Sequence, residues 1–394
     1  MATLKTSILG VEFENPFLLA SAPPTASIES IDKAFETGWG GAVLKTITPD
    51  DLEMVEASPR YATIKENGKV MCLQNIELLS HETVQYWIDG IKYLKEKHPS
   101  KVIIASIMAP VDRIEWQNLV RKLNNSPIDA YELNFSCPHG MPEKGIGMAI
   151  GTDAEISALI TSWVKSVAAK PVFVKLTPNV DNIAWIANSV ERAGADGLAA
   201  INTVQSFMGI NLETLEPLLN IDGHSTYGGL SGRAVKPIGF KCVAQLRQNS
   251  NLPILGMGGI SSWEDAAQYI ALGSDAVQVC TEVMINGYGI INGLKSGLLN
   301  YLDEKGFNDI SELKNIAIDK ITTHENLNKK SHLYPCIDKE KCAACGKCVK
   351  ICSESEYNAL SLDNKFINLN KEICTGCSLC SHVCLTEAIK MCHI

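Results

Sequence analysis

Eight of the fourteen cysteines fall into two matched runs near the C-terminus: Cys342, Cys345, Cys348 and Cys352, then Cys374, Cys377, Cys380 and Cys384. Each run reads C-x2-C-x2-C-x3-C, a spacing in which three thiolates wrap one face of an iron–sulfur cube and the fourth goes to the neighbouring cube. Two [4Fe-4S] clusters are expected. Cys342, Cys345, Cys348 and Cys384 would hold one, and Cys374, Cys377, Cys380 and Cys352 the other. Clusters of this kind move single electrons, so the residues ahead of them are expected to do redox chemistry. Zinc is a poor alternative, because a tetrahedral ion has no use for the third cysteine and the trailing C-x3-C. A disulfide framework needs an oxidising compartment. The chain opens MATLKTSILG, without an apolar core long enough for a secretory signal, and a cytoplasmic location is expected. The proline that commonly follows the last cysteine of each run is replaced by Ser353 and Leu385, which touches no ligand, and Cys336 and Cys392 read as spare thiols.

The body of the chain must position a partner for those clusters. Short apolar runs recur at 17–22 (FLLASA), 42–46 (AVLKT), 102–108 (VIIASIM), 131–136 (YELNFS), 172–177 (VFVKLT), 197–203 (GLAAINT), 253–259 (PILGMGG) and 276–280 (AVQVC). Near-continuous apolar runs fit parallel strands covered on both faces. Amphipathic stretches such as 156–169, 182–194 and 263–273 lie between them. Eight strand-then-helix units predict an α/β fold, a (β/α)8 TIM barrel followed by a C-terminal two-cluster ferredoxin-like domain. The expected boundaries are 1–305 for the barrel, 306–335 for a linker and 336–394 for the ferredoxin-like domain, with a small hairpin at 1–14.

In such a barrel the chemistry sits at the C-terminal strand ends. Those ends carry Ser21, Lys45 with Thr46, Asn134 with Ser136, Lys175, and Asn202 with Thr203. Two lysines and two asparagines at matching depth exceed what turns require, although any one alone reads as structural. After the last two strands come Gly256, Gly258 and Gly259, and Cys280 with Thr281, where barrels commonly bind a phosphate. Gly228, Gly229 and Gly232 add a further backbone approach. With the lysines nearby, a phosphorylated cofactor is expected. FMN fits, since it takes electrons singly and passes on a hydride. The loop 136–153 reads as a water-excluding lid, and its Cys137 as either a small buried residue or a proton donor that must remain a thiol near neutral pH.

These residues also resemble a known family. NFSCPHGM (134–141), LQNIELLS (73–80), KLTPNV (175–180), INTV (201–204), YGGLSG (227–232) and the double-cluster tail are similar to dihydropyrimidine dehydrogenase, from about Ala20 to the C-terminus. The likeness is to the pyrimidine-reducing half of the large eukaryotic enzyme and to the flavin-barrel subunit of the bacterial two-subunit enzyme. The parts that bind FAD and NAD(P)H in the large enzyme have no counterpart here. The resemblance implies that Cys137 is the general acid toward C5 of the pyrimidine while reduced FMN delivers hydride to C6. It implies that Asn75, Asn134, Asn202 and Thr203 bind the ring's amide edges, and the strand-end Ser136 is expected as a further substrate contact. It places Lys45 and Lys175 beside the flavin, with Ala20, Ser21 and Ala22 against the isoalloxazine, and Thr46 and the strand-end residues Gly232, Gly258, Gly259, Cys280 and Thr281 are expected as further cofactor contacts. Related dihydroorotate dehydrogenases carry Asn two residues after the cysteine. Here His139 stands there, which disfavours an orotate carboxylate.

The net charge of −9 argues against a nucleic-acid partner, and residues 336–394 contribute seven Lys against seven Asp plus Glu, so the negative surplus lies in the body. No apolar run is long enough for a membrane span. The activity expected is reduction of uracil or thymine, or its reverse. Electrons would come from an FAD- and NAD(P)H-binding partner subunit or a ferredoxin, within a homo- or hetero-oligomer. A dihydroorotate dehydrogenase-like reductase of another cyclic amide, or a pure electron-transfer subunit, are the alternatives.

Overall fold

The computed structural model describes residues 2–52, 54–135 and 147–393. A hairpin of β1 (Thr6–Ile8) and β2 (Val11–Phe13) comes first. Its turn residues Leu9 and Gly10 both have positive φ (53° and 78°), the geometry of a two-residue turn that matches strand twist. β3 (Phe17–Leu19) and β4 (Gly41–Val43) open the barrel, and an excursion then forms β5 (Tyr61–Glu66) and β6 (Lys69–Asn75). The barrel continues with β7 (Val102–Ile107), β8 (Ala130–Asn134), β9 (Val172–Leu176) and β10 (Gly197–Ala200). A second excursion supplies β11 (Val204–Ser206) and β12 (Gly228–Ser231), before β13 (Ile254–Met257) and β14 (Ala276–Val279) complete it. The eight barrel strands pair in parallel and close in the order β3-β4-β7-β8-β9-β10-β13-β14, each on one of the apolar runs named above, with β4 and β8 starting one residue earlier, at Gly41 and Ala130.

Two apolar layers hold this unit. Outside the sheet, helix stripes such as Ile183, Ile186 and Val190 pack on strand side chains. Inside it, Leu18, Val43, Ile104, Phe173 and Leu255 fill the barrel, and Ile8 and Phe13 of the hairpin cap that filling. Burying a large aliphatic side chain contributes about 1.5–3 kcal/mol, which fixes the alternate strand positions inward. Helix starts are set locally: Asp153 accepts from the backbone N–H of Glu155 (2.9 Å) and Ile156 (3.0 Å) and so starts the helix Ala154–Lys165.

The two excursions pair with each other. β11, β12, β6 and β5 make an antiparallel four-stranded sheet, a roof that the periodicity did not reveal. The linker expected at 306–335 also needs correction, because the first compact unit runs to Lys320. Ile310 and Leu313 are buried in its core, and Asn315 and Ala317 donate backbone hydrogen bonds to Ile270 and Ala271. The second unit, Ile321–Ile394, pairs β15 (Tyr334–Ile337) with β18 (Ile389–Cys392). It also pairs β16 (Leu360–Asp363) with β17 (Phe366–Leu369), around Cys348, Leu360, Cys380 and Ile389. Among the described residues no helix is long and apolar enough to cross a membrane.

Candidate active site

The strand ends converge on a cleft of about 1130 Å³, its open mouth included, at the C-terminal end of the barrel and beneath the roof sheet. Most of the described residues expected at the site line it: Ala20, Ser21, Lys45, Thr46, Asn75, Asn134, Lys175, Asn202 and Thr203 on the barrel side, and Gly232, Gly258, Gly259, Cys280 and Thr281 on the glycine side, whereas Gly228, Gly229 and Gly256 are not among its lining residues. Ser136, Cys137 and His139 lie outside the described residues.

A line of hydrogen bonds fixes the polar side chains. Ser21 Oγ lies 3.1 Å from Thr46 Oγ1, which is 2.9 Å from Ser106 Oγ and accepts from Asn134 Nδ2 at 3.0 Å. Asn202 Nδ2 donates to Asn134 Oδ1 at 3.5 Å, and its own Oδ1 accepts from the Thr203 N–H at 2.8 Å. Asn75 donates to the Gly229 carbonyl across β6 and β12 at 3.0 Å. Three carboxamides are thus held at one cleft, and each offers both a donor and an acceptor.

The two lysines are held separately. Lys45 Nζ lies 3.0 Å from Glu77 Oε1, while Glu77 Oε2 accepts from Tyr61 (2.6 Å) and from Arg60 Nε (3.1 Å). Burial alone would raise the Glu77 carboxyl, but Lys45, Tyr61 and Arg60 outweigh it and hold it below the usual glutamate range. Lys175 Nζ lies 3.4 Å from Glu132 Oε1, deep in the barrel. The Cys280 thiol is pushed up to about 11 by burial against the pull of Lys175 and Lys45. It therefore stays neutral, as suits a place where an anion would bind. Tyr61, Glu77, Glu132 and Gln278 were not singled out from the sequence. Glu77 sits inside the quoted LQNIELLS segment, Glu132 inside YELNFS and Gln278 inside AVQVC, without any of the three standing out there.

A flavin nucleotide fits this cleft on two observations. Gly232 and Gly259 have φ of +89° and +74°, and a Cβ on Gly259 would lie 2.8 Å from the Gly232 carbonyl. Two bare loops therefore meet where a phosphate needs backbone N–H groups. On the floor, Gln278 Oε1 is buried without a hydrogen-bond partner, leaving an acceptor that a bound ring can use.

In the second unit, Cys352, Cys374, Cys377 and Cys380 line one cavity of about 380 Å³, its opening to solvent included, so the last cysteine of the first run joins three of the second. The four thiols line a common space, the arrangement a polynuclear cluster needs. The two runs also share backbone geometry. Ala344 and Gly346 (φ 49° and 71°) bracket Cys345, as Gly376 and Ser378 (71° and 66°) bracket Cys377. Cys352 and Cys384 each accept a backbone N–H at 3.3 Å, from Ala359 and Ala388.

Comparison with known proteins agrees with both halves. A family model described as Dihydroorotate dehydrogenase matches residues 3–302, and one described as 4Fe-4S dicluster domain matches 335–391. The chain is 36% identical over 366 residues to the NAD-dependent dihydropyrimidine dehydrogenase subunit PreA of Escherichia coli (strain K12), covering 92% of this chain and 88% of that one. The chain belongs to the dihydroorotate dehydrogenase family, in its dihydropyrimidine dehydrogenase branch. Another member of that branch, the chloroplastic dihydropyrimidine dehydrogenase (NADP(+)) of Arabidopsis thaliana, is 35% identical over 339 residues, 83% of this chain and 80% of its own. The catalytic subunit of dihydroorotate dehydrogenase B (NAD(+)) from Pyrococcus abyssi (strain GE5 / Orsay) is 33% identical over 315 residues. That covers 99% of its length and 80% of this chain. As a dihydropyrimidine dehydrogenase homologue, the chain is a flavin-family barrel joined to an iron–sulfur domain.

Proposed function

We propose that this chain is the pyrimidine-reducing component of a dihydropyrimidine dehydrogenase, interconverting uracil or thymine with the 5,6-dihydropyrimidine. The observation that carries this is the meeting of Asn75, Asn134, Asn202 and Thr203 with Lys45 and Lys175 around one cleft. The carboxamides match the alternating N–H and C=O edge of a neutral pyrimidine ring. Lys45, Thr46 and Lys175, with Ala20, Ser21 and the glycine loops, would hold FMN. When bound there it supplies a hydride for C6 and accepts electrons one at a time. The lysines stabilise negative charge that develops on reduction. Cys137, three residues after Asn134, acts as the proton donor toward C5, a role supported by its motif. Ser136 joins the substrate contacts on the same ground.

Electrons arrive through two [4Fe-4S] clusters with the crossed ligand sets given above. The joint lining of one cavity by Cys352, Cys374, Cys377 and Cys380 supports that arrangement. NAD(P)H is oxidised elsewhere, by an FAD-containing partner subunit, with a ferredoxin as the alternative donor. The test is anaerobic titration of the pure, cofactor-loaded chain with dihydrouracil, dihydrothymine and dihydroorotate while flavin absorbance is followed. Bleaching by the first two and not by the third is expected, with no reduction by NADH alone. Bleaching only by dihydroorotate, or direct reduction by NADH, would reverse the assignment.

A further inference from the structure

Inside the first unit, Glu132 is a fully buried carboxylate to which the chemistry above gives no task. It lies in the middle of β8 and points into the barrel. Its Oε2 accepts from Nε2 of Gln278 at 2.7 Å, and β14, which carries Gln278, stands four places from β8 around the closed ring. That hydrogen bond therefore spans the barrel's diameter. A carboxylate only accepts, which fixes the amide's orientation and leaves Gln278 Oε1 without a partner. The other oxygen, Oε1, has no hydrogen bond, and the Lys175 ammonium stands 3.4 Å away. Lys175 and Gln278 line the cleft, whereas Glu132 lies beneath it.

Stability does not explain this arrangement. A buried ion pair with an incompletely satisfied carboxylate contributes little net stability compared with apolar side chains of the same volume, which fill the layer below. The pair does solve a different problem: without a partner at this depth, a flexible lysine stem would be free to turn aside. We propose that Glu132 is a positioning residue that holds the Lys175 side chain aimed at the flavin, and so makes the reduced flavin easier to form. This rests on the flavin reading of the cleft.

The sign of one measurement separates positioning from a plain through-space charge. If the carboxylate acted only by its own field, removing it would favour the electron-rich reduced flavin. If it acts by holding the cation, removing it does the opposite. Glu132→Gln keeps the shape, and Gln278 can rotate its amide so that its unpartnered oxygen accepts from the new one. Glu132→Asp keeps the charge but loses the reach to Lys175, and it gives the answer should the first variant fail to fold.

The experiment is an anaerobic reductive titration of the FMN-loaded full chain against a reference dye, read by flavin absorbance. Both variants should show a reduced-to-oxidised ratio about tenfold lower at a fixed poise, the scale of one charge-assisted contact. In a Lys175→Met background, Glu132→Gln should cause no further fall. A rise in the ratio for Glu132→Gln, wild-type behaviour of Glu132→Asp, or an equal fall in the Lys175→Met background would each overturn the inference alone. A wild-type chain that takes up no FMN would overturn the flavin reading and this inference with it.

Discussion

Gly259→Ala isolates what the bare loops of the cleft contribute. The residue has φ +74°, where an L side chain costs roughly 1–2 kcal/mol. Its new Cβ would also sit 2.8 Å from the Gly232 carbonyl and 3.0 Å from the Lys236 nitrogen and Cβ. These are mostly backbone atoms that no side-chain rotation can move, so the clash adds about 1–3 kcal/mol of overpacking. Gly10 is the matched control: its φ is +78°, yet an added Cβ there meets nothing within 4 Å. Gly10→Ala should therefore cost only the conformational penalty and leave cofactor binding alone. Gly259→Ala should lose about 1–3 kcal/mol more, because the clash can be relieved only by shifting the loop at Gly232. FMN affinity, followed by quenching of flavin fluorescence on the apoprotein, should weaken at least about tenfold. Equal stability losses for the two variants, with FMN affinity unchanged in both, would refute the claim that the two loops form one rigid cradle.

Glu77→Gln removes the anion that holds Lys45, and at pH 7 it should destabilise the barrel by about 2 kcal/mol, the scale of breaking a charged hydrogen-bond network. Because the Glu77 carboxyl is depressed below 4.5 in the folded chain, its stabilisation is complete above that value and fades as pH falls through the folded one. Melting curves of wild type and variant should therefore converge on acidification, and a gap that stays constant from pH 7 to pH 3 would contradict this. Cys352→Ala should remove roughly half the iron while leaving a cluster held by the first run's other cysteines and Cys384. Loss of that first-run cluster instead, judged by iron content and electron paramagnetic resonance, would exclude the crossover. Cys137→Ala should retain flavin and iron but lose most turnover, on the order of 10²-fold or more for a lost general acid. A variant that cannot bind FMN would recast the thiol as structural.

The barrel was legible because parallel strands buried on both faces must be apolar throughout, and FLLASA, VIIASIM and VFVKLT say so without help from context. Polar residues at the ends of such runs stand out against that background, which is why Lys45, Asn134 and Asn202 were found. Glu132 was not, although it sits in YELNFS: one carboxylate inside a strand looks like an outward-facing position until closure of the ring brings Gln278 to it. The hairpin of β5 and β6 was missed because most of β5 is exposed and its pattern lacks a core-facing stripe, though Asn67-Gly68 is a turn signal. Tyr61, Arg60 and Glu77 went with it. The end of the first unit was misplaced because Ile310 and Leu313 occupy a single short helix, too brief for periodicity to register.

The roof sheet constrains anyone who would move the proposed substrate contacts onto another scaffold. Asn75 and Thr203 belong to excursions far apart in the chain, and the strand at Gly228–Ser231 bridges them, so closely that a methyl group on Gly229 would strike Thr203 Oγ1 at 2.2 Å. Transplanting 61–77 alone would deliver a ribbon with a bare edge, prone to recruit strands from other molecules. Chimeras should exchange 61–77 and 203–232 as a single cassette, and natural drift in substrate preference should leave correlated changes in both.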